Sequence, residues 1–118
     1  MKCSENVRPF MEKRDSVYIR HILDSIEKIE VYIADRPREY FLEDSMLQGA
    51  VIYQLLIIGE AARAVSRELQ AMHPDVPWRL MIGMRNKLIH DYIETDMEAV
   101  WEAASRDIPA LKDALKNL

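Results

Sequence analysis

The segment WRLMIGMRNKLIH, from Trp78 to His90, concentrates the residues that could do chemistry. It contains no acidic residue, although the whole chain is acidic. Its cationic or titratable side chains are those of Arg79, Arg85, Lys87 and His90. A guanidinium presents a fixed fork of donors to phosphate oxygens, and an imidazole, with a typical pKa of about 6.5, can transfer protons at neutral pH. Arginine and histidine together are therefore suited to cleaving RNA without a metal ion.

The spacing in this segment predicts two neighbouring polar pairs on one helix. At about 100° per residue, Arg85 and Tyr92 differ by only about 20° around the helix. Asn86 and His90 differ by about 40°, whereas Arg85 and His90 differ by about 140°. The long Arg85 side chain could still meet His90 where the helix ends, or across a dimer axis. A structural role is the alternative, because such side chains can satisfy the last carbonyls of a helix and pair with acidic surface groups.

Other catalytic constellations are disfavoured by spacing. His21, His73 and His90 lie on separate segments, and the chain has no HExxH motif, no cysteine pair and no carboxylate-rich metal pattern. The three glycines are isolated, so no glycine-rich phosphate loop is present. Cys3 has no neighbouring group that would activate a thiol. We therefore expect neither a metal site nor a cofactor.

Length and composition predict one helical domain. The 118 residues include 16 Lys+Arg and 20 Asp+Glu, which gives a formal net charge of −4. A chain of this size can bury one hydrophobic core. Because 49% of the residues are hydrophobic and only three are glycine and five proline, few positions favour turns. The balance favours an all-α antiparallel up-and-down helical bundle over sandwiches, barrels and disordered tails.

The surroundings of the protein can also be predicted. The single cysteine excludes an internal disulfide, and no signal-peptide pattern is present, so we expect a cytoplasmic protein. No apolar run approaches about 18 residues, so we expect no membrane span. The mild acidity argues against general affinity for nucleic acid but leaves room for a local basic patch.

Apolar periodicity predicts four helical regions within a domain of residues 11–118, preceded by a loose extension over residues 1–10. The first region starts near Asp15 and ends before Pro37. The second starts near Ser45 and keeps its apolar face as far as Leu69. The third extends from the loop at residues 73–78, where Trp78 is expected to anchor on the core, to near Tyr92. The fourth covers residues 97–118 and is expected to bend at proline 109.

The second helix carries apolar residues on two sides, which is typical of a central helix or a subunit interface. Gly59 and the alanines that follow Glu60 would permit another helix to approach closely. Glu60 and Arg63 are three residues apart, and their simplest interpretation is a surface or interface ion pair.

Several motifs resemble those of the HepT toxins of the HEPN superfamily, and the likeness extends over most of the chain. The central motif is Arg85-X4-His90-X-Tyr92, preceded by Pro77-Trp78-Arg79 and Gly83-Met84-Arg85-Asn86. Supporting matches are Lys13-Arg14-Asp15, Phe41-Leu42-Glu43-Asp44, Ile58-Gly59-Glu60-Ala61-Ala62, Val100-Trp101 and Pro109-Ala110-Leu111. The resemblance implies a HEPN-like helical bundle that forms a homodimer.

The resemblance also implies a function and the residues that perform it. It implies the toxin of a type VII-like toxin–antitoxin pair, an RNA-cleaving enzyme whose partner is a nucleotidyltransferase antitoxin of the MNT type. Arg85 and His90 would form the ribonuclease site, and Asn86 would support it. Tyr92 would be the residue that the antitoxin modifies with AMP, which silences the toxin.

The residues themselves suggest how such a site would work. His90 would help deprotonate a ribose 2′-hydroxyl, and Arg85 would neutralise the charge that develops on the phosphate. Arg79 and Lys87 would add to an RNA-binding surface, and a dimer would double it. Two alternatives stay open: a noncatalytic module that pairs with a nucleotidyltransferase and presents nucleotide or substrate to it, and a plain structural dimer.

Overall fold

The computed structural model describes residues 12–118, and within that range all regular structure is helical. The α-helices are α1 (Lys13–Ile33), α2 (Arg38–Glu43), α3 (Ser45–Ala64), α4 (Arg67–Met72), α5 (Trp78–His90), α6 (Met97–Glu102) and α7 (Ile108–Leu115). A 3₁₀ turn (Tyr92–Glu94) follows α5, and a π-helical segment (Ala103–Asp107) joins α6 to α7. The predicted all-α bundle is confirmed. The extension expected over residues 1–10 lies outside the described residues.

Helix α3 is the centre of the bundle, with α1 packed on one side and α5 on the other. Gly59 lies against Arg85, and Leu55, one turn earlier in α3, lines the same cavity as Leu88, one turn later in α5, so α3 and α5 run antiparallel. Many of the fully buried side chains belong to α1 and α3; they include Ile22, Ile26, Ile29, Val51, Leu55 and Ile58. The helix predicted to be apolar on two sides is therefore the core helix.

The central position of α3 also explains its composition. With 20 residues and an 18-residue window of mean hydropathy 1.3, α3 is long and apolar enough to span a membrane by these two measures alone. This corrects the expectation that no segment approaches such a length. Val51, Leu55 and Ile58 are completely buried between neighbouring helices, so the apolar character of α3 serves the protein core.

The second predicted helix is interrupted at Ser66. Its apolar face continues to Leu69 as expected, but α3 ends at Ala64 and α4 begins at Arg67. Ser66 has extended backbone angles, and its hydroxyl caps α4 by accepting a hydrogen bond from the Leu69 amide at 3.2 Å. The Ser66 amide and hydroxyl also donate to the carboxylate of Asp15, at 2.9 and 2.6 Å. Asp15 is buried, so this contact fixes the first turn of α1 against the α3–α4 junction.

Further contacts close the two ends of the bundle. The Trp78 indole is buried and donates to the His73 carbonyl at 3.0 Å, which confirms Trp78 as the anchor of the loop before α5. The short helix α2 lies between the first two predicted helical regions, and the centroid of its Phe41 ring is 5.5 Å from that of the Trp101 ring. The bend expected at Pro109 stays a prediction; the π-helical segment ends just before α7, and Pro109 lies in the first turn of α7, where a helix needs no N–H donor.

We predict that replacing Asp15 with alanine lowers the free energy of unfolding by about 2 kcal/mol, because the Ser66 amide loses a charge-assisted hydrogen bond. Urea denaturation followed by circular dichroism measures the change. Asp24→Ala, at an exposed position of the same helix, is the control and should change the free energy by less than about 0.5 kcal/mol. Equal losses for the two variants would contradict the assigned role of Asp15.

Candidate active site

Helix α5 is held with one side in the core and the other toward solvent. Trp78, Met81 and Leu88 are buried against the rest of the bundle. Because these anchors fix the rotation of the helix about its axis, Asn86 and His90 are exposed, whereas Arg85 turns toward α3. The helix thus presents its polar residues in two directions, as their spacing predicts.

The guanidinium of Arg85 is the best-fixed functional group of this helix. Its Nε and Nη2 both donate to Oε2 of Glu60, at 2.8 and 2.5 Å, and its Nη1 donates to Oδ1 of Asn86 at 2.8 Å. The Arg85 side chain is only 17% exposed, whereas that of Glu60 is 54% exposed. A guanidinium has five N–H groups, so after these three bonds two of them have no hydrogen-bond partner among residues 12–118.

Gly59 makes this arrangement sterically possible. A Cβ atom at position 59 would overlap the Cβ of Arg85 and would lie 2.8 Å from the carbonyl oxygen of Met81. The absence of a side chain lets α3 and α5 approach closely at this point, which brings Glu60 within reach of Arg85. The close approach predicted for this part of α3 is therefore observed, and Arg85 of α5 is the residue that occupies the space.

Glu60 has a different partner from the one expected. The sequence predicts an ion pair between Glu60 and Arg63 on the same helix, but the Glu60 carboxylate accepts from Arg85, 25 residues further along the chain. The sequence signal that could have indicated this contact is the adjacent Gly59, since a residue beside a close helix crossing can reach the neighbouring helix. Glu60 is thus a site residue that the sequence interpretation assigned to another role.

The group formed by Glu60, Arg85 and Asn86 is called the Arg85 cluster. His90 and Tyr92 lie beyond it, at and just after the exposed C-terminal end of α5. The helix ends at His90, Asp91 leaves helical geometry, and Tyr92 starts the 3₁₀ turn. The predicted separation of about 20° between Arg85 and Tyr92 is therefore wrong, since it required an unbroken helix. His90 and Tyr92 instead share the wall of an open groove of about 470 Å³, formed by residues 89–94.

The two remaining basic candidates lie apart from the Arg85 cluster. Arg79 is exposed near the start of α5, in the first turn after Trp78. Lys87 lines a separate cavity of about 300 Å³ between α5 and α6, together with Asp91 and Asp96. The structure thus brings Arg85 and Asn86 into direct contact, places His90 beside Tyr92, and gives Arg79 and Lys87 separate surroundings.

The available donors favour anion chemistry at this site. Within residues 12–118, no group of three or more histidine, cysteine, aspartate or glutamate side chains is placed to hold a metal ion. Along the C-terminal half of α5, the Arg85 guanidinium contacts the Asn86 amide, and further on the His90 imidazole and the Tyr92 phenol line one groove. They can bind phosphate oxygens, transfer a proton and accept a covalent modification.

The amino-acid sequence matches a known protein family over most of its length. The family model described as "Ribonuclease HepT-like" matches residues 22–118. The chain belongs to the HepT-like ribonuclease family. The matched range includes α3 and α5 and so contains Glu60, Arg85, Asn86, His90 and Tyr92. The resemblance to HepT toxins suggested by the Arg85-X4-His90-X-Tyr92 motif is confirmed.

Individual relatives agree with the HepT-like family. A protein of Thermococcus cleftensis named "Probable ribonuclease HepT" is 39% identical over 108 residues, which cover 92% of this chain and 98% of the relative. A protein of Caldanaerobacter subterraneus subsp. tengcongensis, named as an RNase, is 35% identical over 101 residues, covering 86% of this chain and 90% of the relative. No solved structure matches the chain.

One relative of the HepT-like family is longer. A Methanocaldococcus jannaschii protein, whose name joins a gamma-glutamylcyclotransferase to an RNase, is 38% identical over 108 residues. Those residues cover 92% of this chain but 49% of the relative, so this chain spans about half the length of that protein.

Proposed function

We propose that this protein is the toxin of a type VII-like toxin–antitoxin pair and acts as a metal-independent endoribonuclease in the cytoplasm. The observation that carries the proposal is the fixed guanidinium of Arg85 on the same helix as the exposed imidazole of His90, in a chain of the HepT-like ribonuclease family. The relatives named as ribonucleases support RNA as the substrate.

Arg85 is suited to binding the phosphate that is cleaved. Glu60 and Asn86 engage three of its N–H groups and leave two that can donate to phosphate oxygens. During the reaction these donors would stabilise the charge that accumulates on the phosphorane, an effect that commonly contributes about 3 kcal/mol. Glu60 and the Oδ1 atom of Asn86 position Arg85 in this scheme, and these two acceptors act on RNA through the guanidinium.

His90 supplies the base in the proposed reaction. It takes the proton of a ribose 2′-hydroxyl, the 2′-oxygen forms a bond to the adjacent phosphorus, and the bond from phosphorus to the 5′-oxygen breaks. The departing 5′-oxygen takes a proton, which a protonated His90 from a second copy of the chain can supply. The products are a 2′,3′-cyclic phosphate and a free 5′-hydroxyl. DNA lacks the 2′-hydroxyl and is not cleaved.

We predict that His90→Ala lowers RNA cleavage at least about 100-fold, because the base that removes the 2′-hydroxyl proton is lost. The assay uses a labelled single-stranded RNA in the presence of a chelator, and mass spectrometry identifies the cyclic phosphate. Arg85→Ala should also abolish cleavage. His21→Ala, at an exposed position of α1, is the matched control and should cleave at the parental rate. If His90→Ala cleaved RNA as fast as the parent, the noncatalytic binding module would be the better interpretation.

The supply of a second His90 requires a homodimer, and exposed apolar side chains near the site support one. Tyr53 on α3 and Ile89 at the end of α5 are exposed, and Ile93 in the 3₁₀ turn is 95% exposed. Large apolar side chains that border a polar site are typical of interaction surfaces. We place the two-fold axis near these residues, so that the two copies of α5 combine their cationic surfaces into one RNA-binding groove.

We predict that Ile93→Glu converts the dimer into a monomer, because the new charge would be buried between the copies. Sedimentation equilibrium measures the mass. Val17→Glu is the control: Val17 is 47% exposed near the start of α1, which is held at the C-terminal end of α3 and therefore away from Ile93, so the same substitution should leave the dimer intact. A parent protein that is a stable monomer at micromolar concentration would rule out the shared site.

Tyr92 supports regulation by a nucleotidyltransferase of the MNT type. Its side chain is exposed and lines the same open groove as His90, so a partner enzyme can reach the phenol. A general base of the partner enzyme would take the phenol proton, and the phenol oxygen would attack the α-phosphate of ATP, forming a phosphodiester and releasing pyrophosphate. The attached AMP would then place bulk and negative charge beside His90, where the RNA must bind, and inactivate the site without unfolding the domain.

We predict that coexpression with the cognate nucleotidyltransferase adds AMP to Tyr92 and abolishes RNA cleavage. Peptide mass spectrometry locates the adduct. The Tyr92→Phe variant should stay unmodified. Tyr40→Phe is the control: Tyr40 is also exposed but lies on α2, so this variant should be modified like the parent protein. An adduct at a different residue, or full activity of the protein modified at Tyr92, would contradict this switch.

A further inference from the structure

Four residues form an exposed stripe along α5. At about 100° per residue, their directions around the helix axis fall within about 60° of one another. The members of this stripe are Arg79, Gly83, Asn86 and His90, and each is exposed. From first to last the stripe is about 16 Å long, at a rise of about 1.5 Å per residue. It lies on a helix that contains no acidic residue.

Gly83 lies within this polar stripe, although no contact within residues 12–118 requires a glycine at this position. A Cβ atom at position 83 would have no neighbour within 4 Å, so no packing contact requires glycine there. Glycine is unfavourable in a helix interior because it loses more backbone entropy on folding than alanine does. Gly59 differs, since Arg85 and Met81 occupy the space where its Cβ would lie. Gly83 therefore has a conformational cost that no contact within residues 12–118 offsets.

The position of Gly83 within the stripe suggests which ligand occupies the space where a side chain of residue 83 would lie. A ligand that extends along α5 from Arg79 to His90 must pass over residue 83, where the missing side chain exposes the helix backbone. We propose that the ribose–phosphate backbone of the RNA substrate crosses α5 at Gly83, with a flanking phosphate on Arg79 and the cleaved phosphate near Arg85 and His90. This inference rests on the proposed ribonuclease function and assigns a further RNA-binding surface to it.

Charge favours RNA over a second copy of the chain as the occupant of this stripe. Arg79 is cationic, Asn86 has amide donors and His90 gains a positive charge on protonation, so the stripe suits phosphate oxygens. Two copies packed stripe against stripe would place like charges face to face, which is unfavourable. The dimer contact proposed above uses Ile93 instead, which leaves the stripe accessible along the groove.

Substitution of Gly83 separates binding from folding. Gly83→Ala should raise the Tm by about 4 °C, because alanine favours the helix and its Cβ meets no neighbour. The same variant should bind RNA at least tenfold more weakly, and Gly83→Gln should bind more weakly still. The probe is a 2′-O-methyl oligoribonucleotide, which cannot be cleaved, and fluorescence anisotropy measures its affinity. Cleavage of unmodified RNA is measured in parallel.

Gly49 provides the matched control. It is an exposed glycine inside α3 whose Cβ would also have no neighbour within 4 Å. Gly49→Ala and Gly49→Gln should raise the Tm similarly while leaving RNA affinity and cleavage at the parental values. A gain of stability at both positions with a loss of RNA binding only at position 83 is the result that supports the inference.

The other outcomes are equally decisive. If Gly83→Ala and Gly83→Gln bind the probe as tightly as the parent, the crossing at Gly83 is wrong, whatever the cleavage assay shows. If they lose RNA binding only because the dimer dissociates in sedimentation, the space belongs to a second copy and the inference is overturned. If the parent protein binds the probe but cleaves no RNA, the proposed ribonuclease function is wrong. The probe affinities of the Gly83 variants then decide whether RNA crosses α5 at Gly83.

Discussion

The close approach of α3 and α5 at Gly59 is the constraint on which the candidate site depends. Any side chain at this position would collide with Arg85 and with the backbone of Met81, so the two helices would have to separate. Their separation would withdraw Glu60 from the guanidinium and leave Arg85 with Asn86 as its remaining partner. The core on either side of α3 sets the orientation of both helices. The packing of α3 against α5 at Gly59 therefore also determines the position of the Arg85 guanidinium.

Much of this organisation is predictable from the sequence, because it follows from periodicity and residue type. Apolar side chains at steps of three and four residues identify the main helices, and the prolines before Trp78 separate α5 from α4. The unusual apolar character of α3 indicates its central position. The cationic segment that ends in His90 indicates the helix of the candidate site, and its motif indicates the family. These are local signals, which a single sequence carries in full.

The features that the sequence does not reveal depend on contacts between distant residues. The break at Ser66 is invisible in the apolar pattern, since it is stabilised by Asp15, 51 residues earlier. Glu60 has an equally plausible partner on its own helix in Arg63, and only the helix crossing selects Arg85. The direction of Tyr92 is unpredictable for a third reason: the helix ends two residues before it, so helical angles no longer apply. Tertiary packing overrides local preference in the first two cases, and the end of the helix decides the third.

The hydrogen bonds of Arg85 also change the thermodynamics of binding. A free arginine side chain has about 2 kcal/mol of rotamer entropy, part of which is lost when a ligand immobilises it. Here Glu60 and Asn86 restrict the guanidinium while the protein folds, so this loss occurs before any substrate arrives. A phosphate that reaches the two unused N–H groups meets donors whose orientation is already fixed. Folding thereby preorganises the guanidinium, and in the proposed reaction the free energy of association can be directed to stabilising the transition state.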